Sequence, residues 1–198
     1  MAGQTSIEIP GIWARSQWVR LRTLIWLRWI AIVGQIVAIT VAQQWFGLQM
    51  PVGLCFLAVG VAIIANLLAI FIFPENKRLS ETEAMRMLLF DLAQLSFLLF
   101  LTGGLHNPFS LLVLTPVTIS ATALRPKSTL VLGVSAIAFV TILAVLHLPL
   151  LDTAGQVQQL PEIFLFGFWA AILIGVSFLA LYAGRVTSEI NSMSEALL

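Results

Sequence analysis

The sequence predicts an all-α integral membrane protein with six transmembrane helices and both termini cytoplasmic, and three observations carry that expectation. Of its 198 residues 60% are hydrophobic and only 10% charged, against roughly a quarter charged in a soluble domain. Six apolar runs approach or exceed the roughly 20 residues that a helix needs to cross the lipid bilayer. All ten Lys and Arg residues fall on alternate connections. So much apolar surface has no place in water, which excludes an ordinary soluble enzyme, and the same composition excludes intrinsic disorder. The net charge of +1 says little about partners, and none is expected among nucleic acids. The lone Cys55 offers neither a disulfide nor a metal-ligand cluster.

In chain order, residues 1–23 read as a cytoplasmic, interfacial segment. Trp13 and Trp18 stand among Arg15, Arg20 and Arg22, the pattern of a helix lying on the membrane surface. A cleaved signal peptide is not expected, because the apolar run is too long for an h-region and no small-x-small site follows it. Residues 24–184 read as the transmembrane domain, with runs at 24–46, 51–73, 85–101, 109–124, 129–149 and 162–184. These runs are continuous rather than alternating, so helices and not barrel strands satisfy their backbone groups in lipid. Trp26 and Trp29 mark one headgroup level and Trp45 the other.

The basic residues set the orientation. Arg15, Arg20, Arg22 and Arg28 precede or open the first run, and Lys77, Arg78 and Arg86 lie between or beside the second and third. Arg125 and Lys127 separate the fourth and fifth, and Arg185 follows the sixth. The connections 47–50, 102–107 and 150–161 carry no Lys or Arg, which places both termini on the cytoplasmic side of a bacterial inner membrane. Residues 185–198 begin a cytoplasmic linker. There Val186, Ile190, Met193 and Leu197 recur at intervals of four, three and four, the seam of a parallel coiled coil in a homodimer, or a chance amphipathic turn.

The third and fourth runs are short, reaching about 25 Å at 1.5 Å per residue, so the loop between them is expected to sit shallowly inside the membrane. It reads Gly103-Gly104-Leu105-His106-Asn107-Pro108-Phe109. Turn chemistry alone accounts for it: either glycine can take the left-handed conformation that ends a helix, Asn107 can cap the next one, and Pro108 suits its first position. The same residues also offer what a lipid-dissolved quinone needs. The glycines admit close approach to backbone N–H groups, the Asn107 amide and His106 are donors, and Phe109 gives a flat apolar face.

Gly-Gly-x-x-Asn-Pro-Phe between the third and fourth of six spans resembles the quinone-binding heptapeptide of the RegB/PrrB family of redox-sensing histidine kinases. The flanking text is similar too, from Leu24-Ile25-Trp26-Leu27-Arg28-Trp29 through Asp91-Leu92-Ala93-Gln94-Leu95 to the stretch from Thr115 to Leu124. The resemblance implies a sensor that reads the ubiquinone and ubiquinol pool, with Gly103, Gly104, Asn107, Pro108 and Phe109 at the motif's fixed positions and Leu105 and His106 at its free ones. It also implies a parent protein that is a protein-histidine autokinase and meets its response regulator through a kinase core. The 198 residues hold no phospho-accepting histidine segment or nucleotide-binding boxes, so this stretch is expected to bind and signal without phosphorylating.

Other polar positions keep a second reading open. Asp91 and Gln94 share a helix face and suit either an interhelical pair, with Arg86 or Arg125 in reach of Asp91, or ligand and proton handling. Thr115, Thr118 and Thr122 form a hydroxyl stripe that packs against a neighbouring helix or lines a path, and Pro116 can kink that helix. Together they define the alternative, a small transporter or channel. His106 and His147 lack a third ligand, so no metal is expected. Phe164, Phe166, Phe168 and Trp169 suit a lipid-facing belt or the wall of a quinone tail.

Overall fold

A computed structural model describes residues 19–72 and 78–195 of the chain. They form helices α1 (Leu21–Gln44), α2 (Val52–Ile72), α3 (Glu81–Leu101), α4 (Leu114–Ala123), α5 (Pro126–Val145) and α6 (Glu162–Glu195). Two 3-10 segments, Gly104–His106 and Pro108–Val113, join α3 to α4. The extended structure is slight: β1 (Val19–Arg20) pairs antiparallel with β2 (Arg78–Leu79), and isolated bridges join Gln49 to Leu151 and Leu151 to Val157. Trp13, Trp18, Arg15 and Lys77 lie outside the described residues, as does Leu197 of the coiled-coil seam.

The third run is longer than its apolar stretch. Helix α3 has 21 residues, about 31 Å at 1.5 Å per residue, because it starts among polar residues. Ser80 and Glu83 form a capping box in which each side chain meets the other's backbone N–H, satisfying donors that a helix start otherwise leaves open. The fourth run remains short, Pro108–Ala123, beside five helices long and apolar enough to cross a membrane. Its first six residues, however, are 3-10 helix, which rises about 2.0 Å per residue instead of 1.5 Å. The segment Pro108–Ala123 thereby reaches about 27 Å. Pro116 gives a physical reason for the change of helix type just before it, since it has no N–H for the Leu112 carbonyl and its ring crowds that turn.

Contacts between helix ends show that six segments run alternately between two ends of the bundle. At one end, β1 meets β2, and Glu81 at the start of α3 pairs with Arg125 and accepts from Ser128 at the start of α5. At the other, Leu148 donates to the Phe100 carbonyl, Gln49 pairs with Leu151, and Leu160 donates to His106. Segment Pro108–Ala123 therefore returns from the opposite end toward the basic end at which α3 starts. Every described Lys and Arg lies at or near the first, basic end, and none lies at the opposite end.

Two apolar clusters hold the bundle. One joins α3, the 3-10 segment Pro108–Val113, α4, α5 and α6 through Leu88, Leu92, Leu99, Val113, Val117, Leu132, Val140, Ile172 and Val176, and reaches Leu21 and Leu24 of α1 and Ala69 of α2 at the basic end. The other joins α1, α2 and α3 through Ile32, Ile39, Cys55, Val59, Ala62, Leu98 and Leu101. Helices α1, α2 and α3 each contribute to both, so the two clusters meet along these three helices. Outside these clusters the surface stays apolar, with Phe71, Ile163, Phe166, Ile174 and Phe178 all exposed, as lipid rather than water requires. Trp26 near the basic end and Trp45 at the opposite end are exposed as well, in keeping with the two headgroup levels.

Candidate functional site

The turn from Gly103 to Phe109 closes the opposite end between α3 and α4. Both glycines take positive φ, +99° for Gly103 and +59° for Gly104, a region that a Cβ disfavours. Packing adds a second demand at Gly104, where a Cβ would stand 2.5 Å from the Leu143 carbonyl oxygen and 2.8 Å from His147. Leu105 beside it is fully buried. The glycines therefore serve to seat the turn on the end of α5.

Asn107 caps the 3-10 helix as expected, its Oδ1 accepting from the Phe109 N–H at 2.9 Å, with Pro108 in the first helical position. Its amide nitrogen is committed too, donating to the Thr102 hydroxyl at 2.8 Å and the Thr102 carbonyl at 3.2 Å. The expected free donor at Asn107 is thus spent on the turn itself. His106 takes that place. Its Nδ1 accepts from the Leu160 N–H at 3.0 Å, so in the neutral ring the proton sits on Nε2 and that atom is a donor. The His147 ring stands 5.0 Å from it, centroid to centroid. Burial, and next the proximity of His147, lower the His106 pKa from its ordinary 6.5, which favours the neutral, Nε2-donating ring. Phe109 is 48% exposed, with Pro108 exposed beside it. Ser110 just beyond is buried with a hydroxyl that finds no partner.

Asp91 and Gln94 are occupied in a second polar layer nearer the basic end. Asp91 pairs with Arg28 of α1, Nε to Oδ1 at 2.7 Å and Nη2 to Oδ2 at 3.1 Å. The expected partners were Arg86 and Arg125, but Arg125 pairs with Glu81 instead. Gln94 and Gln35 exchange reciprocal hydrogen bonds of 3.1 and 3.2 Å. Arg28 and Gln35 are seven apart and share a helix face, so both polar side chains of α1 meet the face of α3 that carries Asp91 and Gln94. Asn66, fully buried on α2, donates to the Ile25 carbonyl. The threonine stripe does not pack against another helix of the chain: Thr115, Thr118 and Thr122 are exposed. The last two return their hydroxyls to carbonyls one turn back. Phe164 and Phe166 face outward, and Trp169 donates from Nε1 to the Thr141 hydroxyl. Helix α6 runs on without a break to Glu195, carrying Val186, Ile190 and Met193 on one continuous helical backbone.

Two curated relatives are named sensor histidine kinase RegB. One, from Cereibacter sphaeroides, is 56% identical over 184 residues, and the other, from a named strain of the same species, is 58% identical over 184 residues. Over 93% of its length this chain is a RegB homologue. No family model matches the chain, and no solved structure does. The chain spans about 40% of the length of the RegB relatives it matches. A match over 93% of 198 residues necessarily takes in the turn and the Arg28–Asp91 layer. Kinship with RegB and the run of apolar helices together support a multi-pass membrane sensor domain of a histidine kinase.

Proposed function

We propose that this chain is the six-span sensor domain of a redox-responsive, dimeric two-component kinase, and that it binds quinone at the turn of Gly103, Gly104, His106, Asn107, Pro108 and Phe109. The observation that carries the site is the Leu160 hydrogen bond, which fixes His106 as an Nε2 donor next to the exposed faces of Pro108 and Phe109. Oxidised quinone presents only acceptors, whereas quinol also donates, so a donor site favours the oxidised form. A ligand shifts a conformational equilibrium only by its differential affinity for the two states. The turn rests on α5 and leads into α4, while Leu160 leads into α6, so ring binding at His106 biases how these helices pack. Helix α6 then carries that bias to a kinase core, and through it to the response regulator. By the positive-inside rule, the basic end and both termini face the cytoplasm.

The transporter reading draws no support from the polar residues that motivated it. Asp91 and Gln94 are paired with α1, and the threonine hydroxyls bond their own helix, so they line no continuous polar path. A photoreactive ubiquinone analogue in nanodiscs tests the site, with cross-links expected on His106, Pro108 or Phe109. Phe109→Ala should weaken binding by roughly two- to tenfold, the worth of one aromatic stack. Cross-links confined to helices at the basic end would remove the assignment.

A further inference from the structure

A cleft of about 210 Å³ opens at the basic end, lined by Arg28, Ala65, Arg86, Met87 and Phe90. Its walls come from three helices at one depth. Arg28, Ala65 and Arg86 each lie five to seven residues from the basic end of α1, α2 and α3, about 8–11 Å along the helix axis. At that depth a long arginine side chain reaches the headgroups by snorkelling along the helix while its stem stays among acyl chains.

The charges in the cleft do not cancel. Asp91 engages Nε and Nη2 of Arg28, while the Phe90 ring lies 5.6 Å from its guanidinium carbon. Arg86 is exposed and makes no ion pair among the described residues. One cation is thus left over, beside apolar walls of Ala65, Met87 and Phe90. A ligand suited to that combination carries a phosphate monoanion and an apolar body together. Guanidinium groups pair with phosphate through charge-assisted hydrogen bonds, and basic clefts between helices on the cytoplasmic side suit anionic lipid headgroups.

We infer that the cleft between α1, α2 and α3 is a binding site for the phosphate of an anionic phospholipid from the cytoplasmic leaflet. The inference rests on the orientation of the basic end and not on quinone binding at the turn. A headgroup there touches Arg28, hence the Asp91 pair on α3, a helix that contributes to both apolar clusters. Lipid composition would in that way weigh on the element that leads into the turn.

Native mass spectrometry of the chain in detergent, titrated with phosphatidylglycerol or phosphatidylcholine, tests the inference. One phosphatidylglycerol per chain should be retained well above phosphatidylcholine, and millimolar inorganic phosphate should not displace it. Arg86→Gln should weaken retention about tenfold, as should Ala65→Trp, which fills the cleft without changing charge. Lys127→Gln, at the same end but outside the cleft, should leave it unchanged. Equal retention of both lipids, or unaltered phosphatidylglycerol binding in folded Arg86→Gln and Ala65→Trp, overturns the proposal. Displacement by inorganic phosphate overturns its lipid assignment. Quinone cross-linking at the turn is a separate readout, so the two assignments stand or fall independently.

Discussion

At Gly104 two constraints coincide that are usually met apart, a left-handed backbone and a neighbour too close for any side chain. Gly104→Ala should therefore cost about 2 kcal/mol or more, seen as a lowered midpoint of thermal unfolding in detergent. Gly155 has φ +74° but open space around it, so Gly155→Ala carries only the backbone penalty, about 1 kcal/mol. Equal losses at the two positions would mean that packing on Leu143 and His147 is irrelevant to the turn. His106 makes a different prediction, in pH. Its folded pKa is lowered from 6.5, so an opened turn binds the proton more readily than the closed one, and stability rises with pH across that interval. The Leu160–His106 bond is fully present above pH 6.5. Its stabilising effect shrinks as the pH falls below 6.5 and is gone once the pH has fallen through the lower folded value, where a protonated Nδ1 no longer accepts. Hydrogen exchange at the Leu160 amide should accelerate over that range in the native chain and be insensitive to pH-driven opening in His106→Phe. Parallel pH profiles for the two proteins would show that His106 does not hold the loop.

Between elements, the decisive contact is Arg28 with Asp91, because Arg28 is only 7% exposed and a charge so placed needs its counter-ion. Asp91→Asn should destabilise the fold by about 3 kcal/mol, while Arg28→Met combined with Asp91→Leu should recover most of the loss. Chemical denaturation of the single and double variants measures both, and a double variant no better than Asp91→Asn would deny the pair its role. Sequence spacing revealed that Asp91 and Gln94 share a face but not what they face. Partner choice depends on how α1 crosses α3, which no run of apolar residues specifies. The fourth span teaches the same lesson about length. Its 16 residues reach about 27 Å and not the roughly 24 Å of an all-α rise, and the 3-10 stretch that lengthens it has the same apolar composition as an α-helix. Asn107 and Pro108 were legible as cap and first position because capping is local chemistry. That the Asn107 amide is consumed by Thr102 was not, since Thr102 belongs to the end of the preceding helix.

For the whole molecule, the separation of charge between two ends is what turns a helix bundle into an oriented one. The apolar runs made an all-α membrane bundle readable in advance, with five of the runs forming helices long and apolar enough to cross a membrane. The return path of Pro108–Ala123 follows from Glu81 meeting Arg125 and Ser128 across the α3–α4 pair. If that segment crosses the bilayer, residues at the start of α3 and the start of α5 share one side; if it turns back inside the membrane, they lie on opposite sides. Thr82→Cys, Lys127→Cys and Arg185→Cys should all react with a membrane-impermeant maleimide only in inside-out vesicles, and Gln156→Cys only in right-side-out ones. Native Cys55 is fully buried and should contribute no background. Reaction of Thr82→Cys and Lys127→Cys from opposite faces would reduce the chain to five crossings. It would also move the C-terminal helix, and any kinase attached to it, to the side of the membrane where no nucleotide is available.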